Sequence, residues 1–122
     1  MRVYIGSTFS PLMLAQMGEC QIWEVSFEEM KEILQEIDPK DIYSIVGHEN
    51  TANILSKIFG ISIEFNRETV QLEDYFQMYT AIPINRDIIT REFSSEEIYS
   101  SDWRFFNIVG AIGEDYEYED DF

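Results

Sequence analysis

The feature that most constrains the fold is an amphipathic helix that starts at a capping box. Ser26 and Glu29 have the spacing in which a hydroxyl and a carboxylate cap the first turn of a helix. Apolar side chains then recur at helical spacing, at Phe27, Met30, Ile33, Leu34 and Ile37. The pattern predicts a helix over residues 27–37 that ends before Asp38-Pro39.

Shorter patterns on both sides of this helix alternate between strands and helices. Apolar runs predict strands over residues 2–6, 20–25, 42–46 and 103–108. Ser10 and Pro11 suit a helix start, with Gly18 as its stop, and residues 50–59 predict a helix that Gly60 ends. Residues 69–72 and 75–84 predict a hairpin, and Ser94 to about Ser100 a short helix.

The length of 122 residues fits one domain, and 45% apolar residues are enough for a core. Cys20 is the single cysteine, so an internal disulfide is excluded, and its apolar neighbours favour simple packing. The pattern suits a reducing, intracellular setting. We expect no signal peptide and no membrane span, because no apolar run is long enough.

The charge is strongly negative, with a formal net value of −16. Several of the acids crowd into the last residues, so we expect a folded domain over residues 1–112 and a disordered acidic tail over 113–122. Such a field repels phosphate backbones at long range and argues against binding long nucleic acids. A small anionic ligand in a locally neutral or positive pocket stays possible, and solubility alone also explains the acidity.

The segment around His48 carries the clearest functional signal in the residues themselves. A predicted strand ends at Val46, Gly47 turns the chain, and a predicted helix begins near Asn50. The first turn of a helix presents unpaired N–H groups and partial positive charge, which suit a phosphate. Asn50 and Thr51 add side-chain donors, and a histidine there can protonate a leaving oxygen. The alternative is a capping or surface histidine with no catalytic role.

This arrangement suggests phosphodiester cleavage in which a ribose 2′-hydroxyl attacks the adjacent phosphate and the departing 5′-oxygen takes a proton. No carboxylate and histidine cluster has metal-ligand spacing. Glycine-rich phosphate loops, Cys/His pairs and nucleophilic serine motifs are also missing from the sequence. We therefore expect neither a metal ion nor another cofactor.

Several segments together resemble the viral ring nucleases, a family of type III anti-CRISPR proteins known from archaeal viruses, phages and mobile elements. The similarity covers residues 1–109 and leaves out the acidic tail. Its most specific part is the Gly-His-x-x-Thr spacing at a helix start. The segments are Val3–Ser10, Ile45–Thr51 with Ile54-Leu55, Asn66-Arg67 and the strand that ends at Arg86.

The resemblance implies an α/β homodimer around a compact mixed sheet flanked by helices, with a pocket for cyclic tetra-adenylate across the two-fold axis. That ring is the second messenger of type III CRISPR immunity, so its cleavage in the cytoplasm of the infected or host cell would block signalling. In the family, the histidine at His48 is the general acid, Thr51 helps to hold the ligand, and Arg86 stabilises the reacting phosphate. The expected ligand site also includes Ser7, Gly47, Asn50 and Arg67.

Two positions depart from the family pattern. Ser7 stands where the family usually has an asparagine, and Ile89 stands where a carboxylate often follows the arginine. Ser7 keeps a hydrogen-bond donor with a shorter reach, whereas Ile89 has none. A protein that binds the ring and hardly cleaves it is therefore a second hypothesis.

The charged and polar residues could also have purely structural roles. Arg86 could pair with a surface carboxylate, Arg67 could be a structural salt-bridge partner, and Ser7 could cap the segment that follows it. The acidic surface supports a third hypothesis, in which the chain mimics nucleic acid and occupies a basic surface of a host protein.

Overall fold

The fold is built on a mixed five-stranded sheet with α-helices packed on one face. The computed structural model describes residues 2–14, 18–68, 70–72, 75–84 and 103–112. The elements in chain order are β1 (Val3–Gly6), β2 (Gly18–Val25), α1 (Phe27–Glu36), β3 (Ile42–Ser44), α2 (Glu49–Phe59), β4 (Phe76–Pro83) and β5 (Trp103–Ile112).

The strands lie in the order β2-β5-β4-β1-β3. β1 pairs in parallel with β3 and β4, whereas β5 pairs antiparallel with β4 and β2. Every strand except β5 therefore runs in the same direction. Strands β1, β3 and β4 end at Gly6, Ser44 and Pro83, on the same side of the sheet. We call this side the upper edge of the sheet. The predicted α/β class with a mixed sheet is confirmed.

Helix α1 forms where the capping box predicts it. The Ser26 hydroxyl accepts a hydrogen bond from Glu29 N at 3.1 Å, and the acidic Glu28 and Glu29 suit the positive end of the helix. Met30 and Leu34, which lie four residues apart on one face, are fully buried. The helix ends at Glu36, one residue before the predicted end.

Helix α2 begins at Glu49, with His48 as its N-cap residue. Gly60 ends it in the left-handed conformation at φ 68°, and its N–H donates to Ser56 O at 2.9 Å. The Gln35 side chain donates from Nε2 to Phe59 O at 2.9 Å, which ties the carboxyl end of α2 to α1. The predicted helix and its stop are confirmed.

The main core lies between the helices and the sheet. Phe27, Phe59 and Phe105 form its centre, with ring centroids 5.5–5.7 Å apart. The sheet contributes inward-facing residues from four strands, and the helices contribute their apolar stripes. The buried members are Val3, Ile5, Val25, Met30, Leu34, Val46, Ala52, Ile54, Leu55, Phe59, Ile63, Tyr79, Ala81, Trp103 and Phe105.

The opposite face of the sheet has a smaller core, which extended segments cover. Its buried members are Leu72, Phe76, Met78 and Ile108, and Phe9, Met13, Leu14, Cys20 and Val70 are among the side chains that pack on them. Close packing here requires glycine. A Cβ atom on Gly110 would lie 2.6 Å from Cζ of Phe76, its partner across the β4–β5 ladder.

Two predictions from local patterns are wrong. The segment after Ser10 forms a 3₁₀ helix over Pro11–Met13, and Leu14 is already extended and makes a parallel bridge with Leu72. Leu72 N donates to Met13 O at 2.7 Å, so a pairing distant in sequence takes the backbone groups that a longer helix would need. The predicted hairpin is also wrong, because β4 pairs with β1 and β5.

Strand limits also differ from prediction by two residues or more at three places. β2 begins at Gly18, two residues before its predicted start. β5 extends to Ile112, and β3 ends at Ser44, after which Val46 makes an isolated bridge with Phe65. The predicted short helix at 94–100 and the predicted tail at 113–122 lie outside the described residues, as do Met1, 15–17, 69 and 73–74. Neither helix in the described ranges has the length and apolarity that a membrane crossing requires.

Candidate functional site

The upper edge of the sheet brings together the segments that follow β1, β3 and β4. Ser7 comes directly after β1, Gly47 and His48 come shortly after β3, and β4 ends there at Pro83. Ligands of open α/β sheets bind beyond the carboxyl ends of the strands. Most of the sequence-predicted site residues therefore share the edge at which such a fold accepts a ligand.

Gly6 lets the segments after β1 and β3 touch. The Ile45 N–H donates to Ile5 O at 2.8 Å, which continues the parallel pairing beyond the end of β3. A Cβ atom on Gly6 would lie 2.6 Å from Met78 Cε and 3.3 Å from Ile45 Cγ1. A larger residue would press on the side chains of Met78 and Ile45, so glycine suits the close packing at the end of β1.

His48 combines an exposed side chain with a position at the start of α2. Its backbone is extended at φ −127° and ψ 128°, and its carbonyl accepts the helical hydrogen bond from Ala52 N at 3.0 Å. The imidazole makes no capping hydrogen bond to α2. It is therefore available to a ligand at the point where the first-turn N–H groups of the helix face outward.

Thr51 lies beneath the surface of the first turn. It is 1% exposed, and its Oγ1 has no hydrogen-bond partner among the described residues. A buried hydroxyl without a partner costs free energy, so this group gains when a hydrogen-bonding partner arrives. Asn50, one residue earlier, is half-buried. Of these two predicted ligand residues, Asn50 is therefore the more accessible and Thr51 is buried.

Arg67 reaches the same turn from a later segment. Its Nε donates to Gly47 O at 3.2 Å, and its guanidinium lies 5.6 Å from the centroid of the Phe65 ring. Gly47 has space around it, since a Cβ atom there would come no closer than 4.0 Å to Asn66 O. The structure thus brings Arg67 next to Gly47 and His48. Its guanidinium adds a positive charge at this turn of a strongly acidic chain.

Arg86, the second predicted catalytic residue, lies outside the described residues. In the sequence it follows Pro83, the last residue of β4, by three positions, and β4 pairs in parallel with β1 at the upper edge. Ser7, Gly47, His48, Asn50, Thr51 and Arg67 are the predicted site residues for which the structure gives a position.

The hydrogen-bonded segment Glu64–Glu68, which we call the brace, contains the predicted ligand residue Arg67, but the sequence predicted no role for its other residues. Asn66 N donates to Val46 O at 2.9 Å, and Asn66 Nδ2 donates to Ser44 O at 2.8 Å. The Ser44 hydroxyl donates to Glu64 O. The Asn66-Arg67 pair was the available signal, but the sequence does not tell which distant carbonyls these donors meet.

A groove of about 380 Å³ runs along the outer side of β3, below the brace. Its lining residues are Pro39, Ile42, Tyr43, Ser44, Ser62, Glu64 and Asn66. It shares Glu64 and Asn66 with the brace and does not include His48. Within the described ranges, no group of three or more His, Cys, Asp and Glu side chains is placed to hold a metal ion.

Comparisons with known proteins match the part of the chain that carries this site. The sequence model of the family described as STIV B116-like matches residues 3–86, a range that starts at β1 and ends at Arg86. The chain is 32% identical over 79 residues to the uncharacterized protein YddF of Bacillus subtilis strain 168. That alignment covers 61% of this chain and 72% of YddF.

The fold is similar to that of B116 of Sulfolobus turreted icosahedral virus, with a TM-score of 0.76. The structural alignment covers 88% of this chain and 98% of the viral protein. Sequence identity over it is 18%, so this likeness speaks for the fold alone.

Proposed function

The chain belongs to the STIV B116-like family, and on that premise we propose that it binds cyclic tetra-adenylate at the start of α2 and cleaves it without a metal ion. The membership confirms the family resemblance drawn from the His48 segment. The observation that carries the proposal is the exposed imidazole of His48 at the N-cap position, free of any capping bond to its own helix.

The chemistry follows from what stands at the first turn of α2. A ribose 2′-oxygen forms a bond to the adjacent phosphorus and releases its proton to solvent, while the bond to the 5′-oxygen breaks. His48 in its protonated form gives its proton to that departing oxygen. The products of cleavage on two sides of the ring are linear di-adenylates with a 2′,3′-cyclic phosphate at one end and a 5′-hydroxyl at the other.

The remaining residues hold the phosphate in this scheme. First-turn N–H groups of α2 donate to its oxygens. The buried Thr51 hydroxyl, which has no hydrogen-bond partner among the described residues, gains one when the phosphate binds. Arg67 supplies positive charge beside Gly47. Arg86 is proposed to bind the oxygens on which charge builds up, because a guanidinium fits two of them at once.

A second copy of the chain belongs to the proposal. Cyclic tetra-adenylate repeats the same unit around a ring, and a two-fold dimer presents the same surface twice. One His48 from each copy then meets phosphates on opposite sides of the ring, which explains a product of half the ring. Sedimentation or light scattering tests this expectation, and a strictly monomeric protein with bound ligand contradicts it.

The test is incubation with cyclic tetra-adenylate in EDTA, followed by mass spectrometry of the products. We expect linear di-adenylate with a cyclic phosphate from the wild type and a loss of about 10²–10⁴-fold in rate for His48→Ala. Asn53→Ala is the matched control, because Asn53 is exposed on the same helix. A ring that stays intact, or a His48→Ala variant with undiminished rate, contradicts catalysis by this residue.

Binding without cleavage is the second candidate, and Ile89 favours it, since the family often has a carboxylate there. Calorimetry distinguishes the two candidates. Tight binding of the ring with its full recovery afterwards supports storage of the ligand, whereas disappearance of the ring with multiple turnovers supports the enzyme.

A further inference from the structure

We infer that Asn66 is a positioning residue, through which the brace fixes the turn that carries His48. The inference rests on the proposed function, because the turn matters for catalysis only if His48 transfers a proton. Asn66 itself does not need to touch the ligand. Its contacts are with the backbone on both sides of the site.

Asn66 connects three backbone positions. Its own N–H donates to Val46 O at 2.9 Å, its Nδ2 donates to Ser44 O at 2.8 Å, and its Oδ1 accepts from Glu68 N at 3.0 Å. The first two bonds hold the chain as it leaves β3. The third bond holds the brace in the conformation in which the other two bonds form.

Neighbouring residues complete the same attachment. Arg67 Nε donates to Gly47 O at 3.2 Å, and the hydroxyl of Ser44 accepts from Val46 N at 3.2 Å. The next carbonyl, that of His48, accepts from Ala52 N inside α2. Successive carbonyls at Val46, Gly47 and His48 are therefore each held by a donor, the first two from the brace and the third from the helix.

The turn needs such a brace because the sheet holds it weakly. β3 is three residues long and lies at the edge of the sheet, with β1 as its ladder partner. Parallel pairing is slightly less stable per residue than antiparallel pairing, and Gly47 adds backbone freedom. The buried side chain of Val46 anchors one point of the turn. The brace fixes its path from that point to His48.

Substitutions at Asn66 test this role. Asn66→Ala removes the donor to Ser44 O and the acceptor for Glu68 N. Asn66→Asp keeps the shape and the acceptor but sets a carboxylate oxygen against the Ser44 carbonyl. We expect both variants to lower kcat for cyclic tetra-adenylate by about 10–100-fold, since a shift near 1 Å at a reacting group has an effect of that order. Ser62→Ala, exposed on the same connection, is the matched control.

Two further measurements separate positioning from general support of the fold. Calorimetric Kd values for the ring should stay within about threefold of wild type, because the first-turn amides that bind phosphate belong to α2 itself. Amide hydrogen exchange should become faster from Val46 to His48 in both variants and stay unchanged in β5. Full activity in Asn66→Asp, or faster exchange spread equally over β5 and α2, overturns the inference.

The outcomes also separate this inference from the proposed function. If the wild type leaves the ring intact, the exchange data alone still show whether Asn66 fixes the turn. If the wild type cleaves the ring and both Asn66 variants match it, the proposed function stands and the inference fails.

Discussion

The two halves of the sheet differ in how much of their geometry the backbone fixes. In the antiparallel half, β5 pairs with β2 from Val25 to Gly18 and with β4 from Pro83 to Phe76. In the parallel half, β1 pairs with β3 only from Val3 to Ile5. Long ladders hold the first half, whereas backbone and side-chain donors of the brace hold the end of the second.

The half with long ladders carries the aromatic core, and the other half carries the proposed site. The antiparallel half carries Phe105, which packs against Phe27 and Phe59 of the helices. The parallel half ends in Ser7 and His48, both of which leave polar groups at the upper edge. A site made of strand ends has few apolar contacts to lose, so its residues can change with little effect on folding.

The largest expected effect is on folding and comes from Phe105→Ala. Loss of a buried ring with two aromatic neighbours should lower the free energy of unfolding by about 3–5 kcal/mol. Denaturant unfolding followed by fluorescence measures it. His48→Ala, from the parallel half, should leave the free energy of unfolding near the wild-type value because its side chain makes no capping bond. Equal destabilisation by both variants would break the comparison.

An intermediate effect on the free energy of unfolding is expected from Gly110→Ala, with Gly47→Ala as its comparison. Gly110→Ala sets a methyl group into the ring of Phe76, which is 4% exposed and has no room to swing away. The cost of such overpacking is about 1–3 kcal/mol in the free energy of unfolding. Gly47→Ala meets no atom of the described residues closer than 4.0 Å and should change thermal stability little. A reversed order of the two melting temperatures would contradict the division between the halves.

The smallest effect concerns a surface ion pair across β2 and β5. Arg104 donates from Nε and Nη2 to the two carboxylate oxygens of Glu24, at 3.0 and 2.7 Å. Hydrogen bonding from Arg104 lowers the pKa of Glu24. A carboxylate with a lowered pKa stabilises the fold above its unfolded pKa, and this contribution disappears as the pH falls through the folded pKa.

Arg104→Gln should therefore lower the melting temperature slightly at neutral pH, because the pair is exposed and screened. The difference from wild type should vanish in acid, once Glu24 is protonated in both proteins. Calorimetric scans at several pH values measure this, and a difference that is constant with pH would argue against the ion pair as its cause.

The helices were predictable from sequence because their signals are local. Ser26 with Glu29 marks the start of α1, and Gly60 marks the end of α2, each within one turn of the element it limits. The helix expected after Ser10 failed for the opposite reason. The conformation of this segment depends on the bridge from Leu14 to Leu72, a partner far along the chain. A local pattern contains no information about such a partner.

The candidate site likewise has features that local signals predict and features that depend on distant contacts. The position of His48 at a helix start follows from the strand, glycine and helix signals around it, and the structure agrees. The burial of Thr51 and the bond from Arg67 to Gly47 O depend on how α2 and the brace pack, which no spacing encodes. Asn66 was visible as a residue of the family pattern, but its role requires the positions of the Ser44 and Val46 carbonyls.

The bond from Gln35 to Phe59 O has a consequence for how this protein can change. It holds the carboxyl end of α2, and over eleven residues the helix extends roughly 16 Å from there to the end that carries His48. Because a helix is rigid, a small tilt at its carboxyl end displaces its amino-terminal end. A substitution at residue 35, at the opposite end of the helix, would thus change the position of His48 without altering any residue of the proposed site.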